Sequence, residues 1–346
     1  MSLGETVRRI PLIGRAADYV YRLAMLPGRF DAAVRAVEAE RAKAQERDAR
    51  VSLLCENQRL LARELAGPLP KDGGAPPRDL GTTSRLCTQT QFLTPEYAGW
   101  CARMKAAPMW HRKQWEFVFA AQALWERGML APGKKGCGFG VGQEPLPALF
   151  AACGCQVLAT DAPPAPMQER WRASEEYAAS LEALNLLGIA EKETFRARVA
   201  YRSVDMNRLP ADLQGFDFVW SCCALEHLGS LQNGVEFLLN SCRCLADGGV
   251  GVHTTEFNLH SNDATIEEGE SVIYRRRDIE ALAAELHHIG CELAPADLDP
   301  GDSLLDRYVA VPPYDPHVKD TPHLRMRIGP WVSTSIGLII RKGIAS

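Results

Sequence analysis

The sequence predicts an α/β protein with a doubly wound, mostly parallel sheet and a helical, partly coiled-coil N-terminal extension. From about residue 95, short β-type runs alternate with helical stretches, the order expected when helices cover both faces of a parallel sheet. Residues 30–66 lack glycine and proline and are rich in helix-forming residues. These observations divide the chain into a long helix followed by an α/β domain.

Length and composition allow one large domain with an accessory segment, or two domains. The 346 residues are 46% hydrophobic and 24% charged, with a formal net charge of −4. A nucleic-acid partner is not expected, since that charge offers no general attraction to a polyanion. The 11 cysteines form no CxxC pair, so neither a metal site nor a disulfide framework is predicted, and free thiols suit a reducing cytoplasm.

The N-terminal extension, residues 1–66, is predicted to serve association or localisation. Residues 5–30 mix arginines with apolar and aromatic residues, a pattern that favours a helix packed on a partner; peripheral contact with the inner face of a membrane is the alternative. Within residues 30–66 a partial heptad suggests a homo-oligomer, whereas a solvated helix leaning on its own domain explains it equally well. The heptad positions are Phe30, Val37, Ala44, Val51, Gln58 and Leu65, with Leu54 and Leu61 as companions.

Residues 67–84 are rich in proline, glycine and polar residues, which predicts a linker before a domain at 85–346. The first element expected in this domain is an amphipathic helix at 109–128 with Trp115, Phe119, Ala123 and Leu124 facing inward. The predicted strands are Cys155–Thr160, Ala197–Val204, Phe216–Ser221, Gly249–Thr254, Cys291–Ala294 and Ser333–Arg341. The predicted helices between them are Trp171–Leu187, Gly234–Leu245 and Arg277–Ile289.

Residues 134–161 are the most informative segment for function. Gly138, Gly140 and Gly142 allow a turn to approach a ligand closely, and a helix follows with its amino end towards that turn. A strand then ends on Asp161, roughly 20 residues after Gly140, the spacing at which an acid binds ribose hydroxyls. The dinucleotide pattern GxGxxG fails at Gln143, so a nicotinamide-dependent oxidoreductase is the disfavoured rival.

These motifs resemble the class I S-adenosylmethionine-dependent methyltransferases over about residues 110–341. The resemblance implies a Rossmann-like, seven-stranded sheet with S-adenosyl-L-methionine as cofactor. Gly140 and Gly142 match the family's glycine loop, Asp161 its ribose acid and Asp205 the acid beside the adenine. GFDFVWSCCALEHL at 215–228 and LADGGVGVHTTEF at 245–257 are similar to its fourth and fifth strands.

Two positions depart from the family pattern. The third loop glycine falls on Glu144, and the usual acid of the first strand falls on Gly138. A carboxylate at Glu144 is expected either to receive the ammonium of the cofactor or to cap the helix that follows. The residues expected at the cofactor are Gly138, Gly140, Gly142, Glu144, Asp161, Asp205, Met206 and Ser221.

Catalytic candidates follow the carboxyl ends of the fourth and fifth strands, where open α/β sheets place their ligands. They are Glu226, His227, His253, Glu256 and His260. His227 is the leading base, with His253 or Glu256 next, because a hydroxyl acceptor benefits from a base near neutral pKa. The alternative is that Glu226 and His227 only hold their loop by hydrogen bonds. His287 and His288 lie on a polar helical stretch and are expected to be solvated.

Residues 295–330 are too long for a hairpin and predict a substrate-side insertion. Its polar and aromatic residues, expected to line an acceptor pocket, are Tyr308, Tyr314, His317, His323 and Arg325. The predicted reaction is O-methylation of a small polar acceptor such as a sugar or glycan, by analogy with enzymes that modify bacterial surface glycans. N-methylation of a small molecule or amino sugar is the runner-up, and a non-catalytic cofactor-binding scaffold is a further alternative.

Overall fold

The computed structural model describes residues 11–71, 77–162, 181–312, 314 and 321–343. Residues 1–10, most of the predicted helix Trp171–Leu187, part of the predicted linker and His317 lie outside this range. The chain forms two compact units, Met1–Gln58 and Arg59–Ser346. The second unit begins within the long helix, since Ala62 and Leu69 belong to its hydrophobic core.

The elements follow one another in this order: α1 Pro11–Ala66, β1 Ser84–Leu86, α2 Gln89–Phe92, α3 Pro95–Arg103, α4 Arg112–Glu126, β2 Lys135–Phe139, α5 Leu146–Ala152, β3 Gln156–Asp161, α6 Lys192–Arg198, β4 Val199–Ser203, β5 Phe216–Cys222, α7 Leu231–Cys244, β6 Leu245–Asn258, α8 Arg276–His288, β7 Cys291–Leu293, β8 Ala296–Asp297, α9 Leu304–Arg307, β9 Arg325–Ile328 and β10 Trp331–Lys342. Short 3₁₀ turns lie at Leu181–Asn185 and Leu225–His227.

Helix α1 is longer than the sequence predicts, because it begins at Pro11 and continues through residues 27 and 28. Several heptad side chains point to solvent, including Phe30, which is 70% exposed, Val37 and Leu54. Self-association through this seam stays a prediction. Among the described residues, no helix combines the length and apolar character needed to cross a bilayer.

The sheet has the predicted α/β architecture. Its main path is β4-β3-β2-β5-β6-β10-β1-β8, with β7 and β9 also paired to β10. Strands β4, β3, β2, β5 and β6 are parallel, and β10 runs antiparallel to β6. The seven strands of the expected sheet are present, and β1, β8 and β9 are short additions. The predicted strand at Ala197–Val204 is partly wrong, since residues 192–198 form α6.

Two glycines of β2 lie opposite aromatic residues of β5. Gly136 pairs with Phe218 and Gly138 with Trp220. A Cβ on Gly138 would lie 2.3 Å from the Trp220 ring, and one on Gly136 would lie 2.2 Å from the Phe218 ring. Both aromatic rings also make edge contacts with Phe150 of α5. These glycines therefore allow large rings to lie flat over the strand in the core.

Helix α4 packs on the sheet through the predicted residues. Trp115, Phe119, Ala123 and Leu124 are all buried, which confirms the expected inward face. Gly337 of β10 makes room for Phe119, since a Cβ there would lie 2.2 Å from its ring. The packing brings the first turn of α4 close to the carboxyl end of β5.

Candidate active site

A cavity of about 520 Å³ opens at the carboxyl ends of β2, β3, β4 and β5. Because these strands are parallel, the residues that follow them meet at one edge of the sheet. Gly140 and Gly142 come from the turn after β2, Asp161 from the end of β3, and Asp205 from the turn after β4. The volume is in the range of small-ligand and cofactor sites.

The glycine turn is built for close approach. Gly140 has φ +61°, and a Cβ there would lie 2.8 Å from the Cβ of Ala224 and 3.2 Å from the Sδ of Met206. The backbone N–H of Gly142 donates to Oδ2 of Asp161 at 3.1 Å, and the N–H of Ala162 donates to Oδ1 at 2.8 Å. The carboxylate thus fixes the turn as well as facing the cavity.

Glu144 places a buried carboxyl group on the cavity wall. The indole N–H of Trp220 donates to Oε1 of Glu144. Burial raises the pKa of Glu144 well above its usual value, while the indole hydrogen bond lowers it and Asp161 raises it. The helix α5 has Pro145 at its N-cap without a side-chain cap bond, and Glu144 is instead bound to Trp220. A cationic group in the cavity would stabilise the ionised form of this carboxyl.

Helix α4 and the turn after β5 also line the cavity. Their side chains there include Lys113, Glu116 and Phe117 of α4, with Cys223 and His227 of the turn. Cys223 has φ +53°, an uncommon value for a residue other than glycine and typical of functional turns. His227 donates from Nδ1 to the carbonyl oxygen of Glu270 if that nitrogen carries the proton (2.7 Å).

A buried ionic network lies next to these residues. Arg112 contacts Oε1 of Glu256 at 2.6 Å and Oε1 of Glu116 at 3.1 Å. The hydroxyl of Thr254 donates to Oε2 of Glu116 at 2.7 Å, and that of Ser333 donates to Oε2 of Glu256 at 2.6 Å. Buried charges of this kind persist because they are paired and hydrogen-bonded.

Cys223, Glu226 and Glu256 each offer a ligand atom within 4.8 Å of the others, which is compatible with a metal ion. The guanidinium of Arg112, however, already contacts both Glu256 and the sulfur of Cys223, the latter at 3.2 Å. Burial raises the pKa of the Cys223 thiol well above its usual value. Because metal ligation by cysteine requires the thiolate, the resident cation of this cluster is Arg112.

The family described as Methyltransferase domain matches residues 134–252, which include the glycine turn, Asp161 and the turn after β5. Residues 134–252 therefore form a methyltransferase domain, the kind of domain that the glycine turn and Asp161 predict. No curated protein matches the sequence. The matched residues run from the start of β2 into β6, and they include neither α4 nor β10.

Several solved structures resemble this methyltransferase. One is a protein from Galdieria sulphuraria provisionally named sarcosine dimethylglycine methyltransferase (16% identity, TM-score 0.42, covering 67% of this chain and 85% of the other). Another is magnesium protoporphyrin IX methyltransferase from Synechocystis with bound S-adenosylhomocysteine (11%, 0.40, 70% and 92%). A third is 1,6-didemethyltoxoflavin-N1-methyltransferase from Burkholderia thailandensis (13%, 0.39, 65% and 76%). At these TM-scores the likenesses carry no argument about the acceptor.

The cavity of the methyltransferase brings together most of the expected site residues. They are Gly140, Gly142, Glu144, Asp161, Asp205, Met206 and His227. Gly138 is not among them, because this glycine lies within β2 under Trp220 and does not line the cavity. Ser221 does not line the cavity either. It is fully buried, and its hydroxyl is hydrogen-bonded to Nδ1 of His253 at 2.8 Å.

Of the five catalytic candidates, His227 lines the cavity of the methyltransferase, and Glu226, His253, Glu256 and His260 do not. His253 is fully buried within β6, lies edge-on to Phe237, and its pKa is lowered by burial to about 3. It is a neutral core histidine. Glu256 is bound to Arg112 and Ser333 and also does not line the cavity. His260 is exposed beyond β6 and is absent from the cavity wall, and His287 and His288 are exposed as expected.

The insertion 295–330 does not line the 520 Å³ cavity with any of its described residues. His323 stacks on His111 with ring centroids 4.8 Å apart, and Tyr314 meets His323 edge-on. Arg325 lies in β9, which pairs with β10. Tyr308, Tyr314, His323 and Arg325 thus lie away from this cavity, and their expected role at the acceptor stays a prediction. His317 lies outside the described residues.

The sequence reading missed the contribution of α4. Lys113, Glu116 and Phe117 line the cavity of the methyltransferase, and Arg112 lies beneath it. The sequence did contain an indication of this contribution. Arg112 and Glu116 are four residues apart and share the helix face that carries Phe119 and Ala123. Two charged residues therefore lie on the buried face of an amphipathic helix, where charges are rare. Such charges require partners, and here the partners lie at the active site.

Proposed function

We propose that this methyltransferase transfers the methyl group of S-adenosylmethionine to a hydroxyl oxygen of a small polar acceptor such as a sugar or glycan. The observation that supports it most is His227, an ionisable side chain that lines the cavity in the turn after β5. Supporting it are the polar side chains of Lys113 and Glu116 on the facing helix.

The residues after β2, β3 and β4 suit the cofactor. Gly140 leaves a cradle that a Cβ would fill, Asp161 provides a carboxylate for ribose hydroxyls, and Asp205 lies where the adenine edge is expected. Glu144 would hold the ammonium of the methionine portion, a cation that offsets the cost of burying its carboxylate. When bound, the cofactor supplies a methyl group on a sulfonium, which is electrophilic and needs no metal for activation.

His227 is proposed to take the proton of the acceptor hydroxyl. If Nδ1 donates to the carbonyl of Glu270, the ring is held in the tautomer that leaves Nε2 as the basic nitrogen. Oε1 of Glu226 lies 3.9 Å from Nε2. A carboxylate at this distance stabilises the imidazolium that forms when the proton is transferred.

N-methylation is the second candidate, and the buried carboxyl groups favour it. Glu116, Glu226 and Glu256 lie together with Arg112 as the nearest buried cation. Burial, partly countered by His227 and reinforced by Glu256, raises the pKa of Glu226. Of the three acids, Glu116 lines the cavity, and a cationic amine acceptor bound there would be attracted to its carboxyl group.

The test is methyl transfer from labelled cofactor to fractionated glycan, lipid, protein and small-molecule pools by wild type and His227→Gln. A base role predicts a fall of about 10²–10⁴-fold in turnover of a hydroxyl acceptor with S-adenosylhomocysteine affinity retained. Label confined to protein or nucleic acid would contradict the glycan proposal. Full turnover in His227→Gln would show that this histidine only holds its turn against residue 270. Membrane contact and self-association through α1 stay predictions.

A further inference from the structure

A second chamber of about 460 Å³ adjoins the cofactor cavity. It lies between the start of α4, the segment 104–109 before it and the 3₁₀ turn Leu181–Asn185 with the residues that follow. Lys113, Phe117, Gln143 and Glu144 line both spaces, so the two share a wall.

The wall of this chamber is largely apolar. Met104, Met109, Phe117 and Leu184 contribute to it, and Leu184 is buried. At its rim Leu186 is 74% exposed and Leu187 56% exposed. Adjacent exposed leucines at the mouth of a pocket are typical of a surface that an apolar ligand covers.

Three polar side chains of the chamber, those of Gln114, Asn185 and His111, form hydrogen bonds within the protein. Oε1 of Gln114 accepts from the hydroxyl of Tyr97 at 2.8 Å and from the N–H of Met109 at 2.6 Å. Asn185 donates to the carbonyl of Ala190 and accepts from its N–H. Nδ1 of His111 accepts from the N–H of Lys113 at 3.1 Å. These groups support the wall and leave the space they border with an apolar character.

We propose that this chamber binds an apolar body of the acceptor, an alkyl aglycone, while the hydroxyl to be methylated reaches the neighbouring cavity beside His227. The inference rests on the proposed function, since it assigns the second half of the same acceptor. The shared wall at Phe117 and Gln143 places the two halves next to each other. The acceptor is then an amphiphile, such as a glycoside with an apolar tail.

The experiment is calorimetric titration of the full chain, saturated with S-adenosylhomocysteine, with methyl, butyl and hexyl β-D-glucoside below the micelle concentration. Each methylene buried in the chamber should strengthen binding about fourfold. We therefore expect the hexyl glucoside to bind at least about tenfold more tightly than the methyl glucoside. Ala183→Phe, which fills the chamber, should flatten this series, and Leu187→Gln at the rim should weaken it. Leu93→Gln is the matched control, because Leu93 is also exposed and lies outside the chamber wall.

Equal affinity for the methyl and hexyl glucosides, or binding of neither, overturns the assignment. So does a chain-length preference that survives in both Ala183→Phe and Leu187→Gln, because the apolar contact then lies elsewhere. Leu187→Gln keeps the test decisive if Ala183→Phe does not fold. A preference for hexyl glucoside without methyl transfer from labelled cofactor supports the chamber and contradicts the proposed O-methylation, so the two failures are distinguishable.

Discussion

Replacing Glu144 by glutamine should change stability and cofactor affinity in opposite directions. Glutamine has nearly the same shape and keeps an oxygen to accept the indole N–H of Trp220, so the change removes only the charge. In the folded protein without ligand, burial raises the pKa of Glu144 above its usual 4.5. The folded state therefore retains a proton that the unfolded chain has lost, and Glu144 lowers stability as pH rises from about 4.5 through the folded pKa.

The sizes of the two effects follow from what the Glu144 carboxyl does in the ligand-free protein and in the complex. In the ligand-free protein at neutral pH, Glu144→Gln is expected to raise the free energy of unfolding, since the cost of ionising a buried acid disappears. In the complex, a charge-assisted hydrogen bond to the cofactor ammonium is lost, on the order of 1.5–3 kcal/mol. That corresponds to an affinity for S-adenosylhomocysteine lower by about 10- to 150-fold.

Two measurements test the expected gain in stability and the expected loss of cofactor affinity. Urea denaturation without ligand gives the free energy of unfolding, and calorimetric titration with S-adenosylhomocysteine between pH 5 and 8 gives affinity. Repeating the titrations in buffers of different ionisation enthalpy reports the proton that wild type releases when the ammonium stabilises ionised Glu144; the glutamine variant should release none. Glu285→Gln, an exposed acid-to-amide change on α8, is the control. An affinity for Glu144→Gln within twofold of wild type would refute the reasoning.

Two further predictions concern the glycine turn and the sheet core. Gly140→Ala should weaken S-adenosylhomocysteine binding measurably, because a Cβ at residue 140 would lie 2.8 Å from the Cβ of Ala224. The control is Gly81→Ala, since Gly81 has the same φ of +61° but open space around it. Titrating Gly81→Ala shows the effect of backbone strain alone. Burial lowers the pKa of His253 to about 3, so it should make stability fall as pH drops from about 6.5 towards 3. Urea denaturation of His253→Asn should show that slope reduced by up to about 1.4 kcal/mol per pH unit, and an unchanged slope contradicts the buried neutral histidine.

The sequence predicted the fold and the cofactor end of the site because both depend on local patterns. The turn Gly140–Gly142 and the acid at the end of β3 are adjacent to elements that alternation alone identifies. Parallel pairing then brings strand ends together, whichever side chains the strands carry. Gly140 and Asp161 consequently meet at one cavity, as their spacing indicated, and Asp205 joins them there, as the family resemblance implied.

The acceptor end was harder to predict because it depends on which face of a strand or helix a residue occupies. His253 and Glu256 lie in the same strand, β6, three residues apart, so their side chains occupy opposite faces: His253 meets Ser221 and Glu256 meets Arg112. A shift of one residue along a strand reverses the face. The contribution of Lys113 and Glu116 depends on how α4 packs, and the spacing of the methyltransferase motifs contains no information on that packing.

The pairing of Gly138 with Trp220 also constrains how this enzyme can diverge. A larger residue at 138 is accepted only after residue 220 has become small, since their atoms would otherwise overlap. Residue 220 can shrink only by giving up the indole hydrogen bond to Glu144 and leaving a void beside Phe150. A single substitution at either residue 138 or residue 220 is therefore destabilising, and each residue restricts what the other can become. We expect the glycine, the tryptophan and the glutamate to be inherited or lost together among descendants of this sequence.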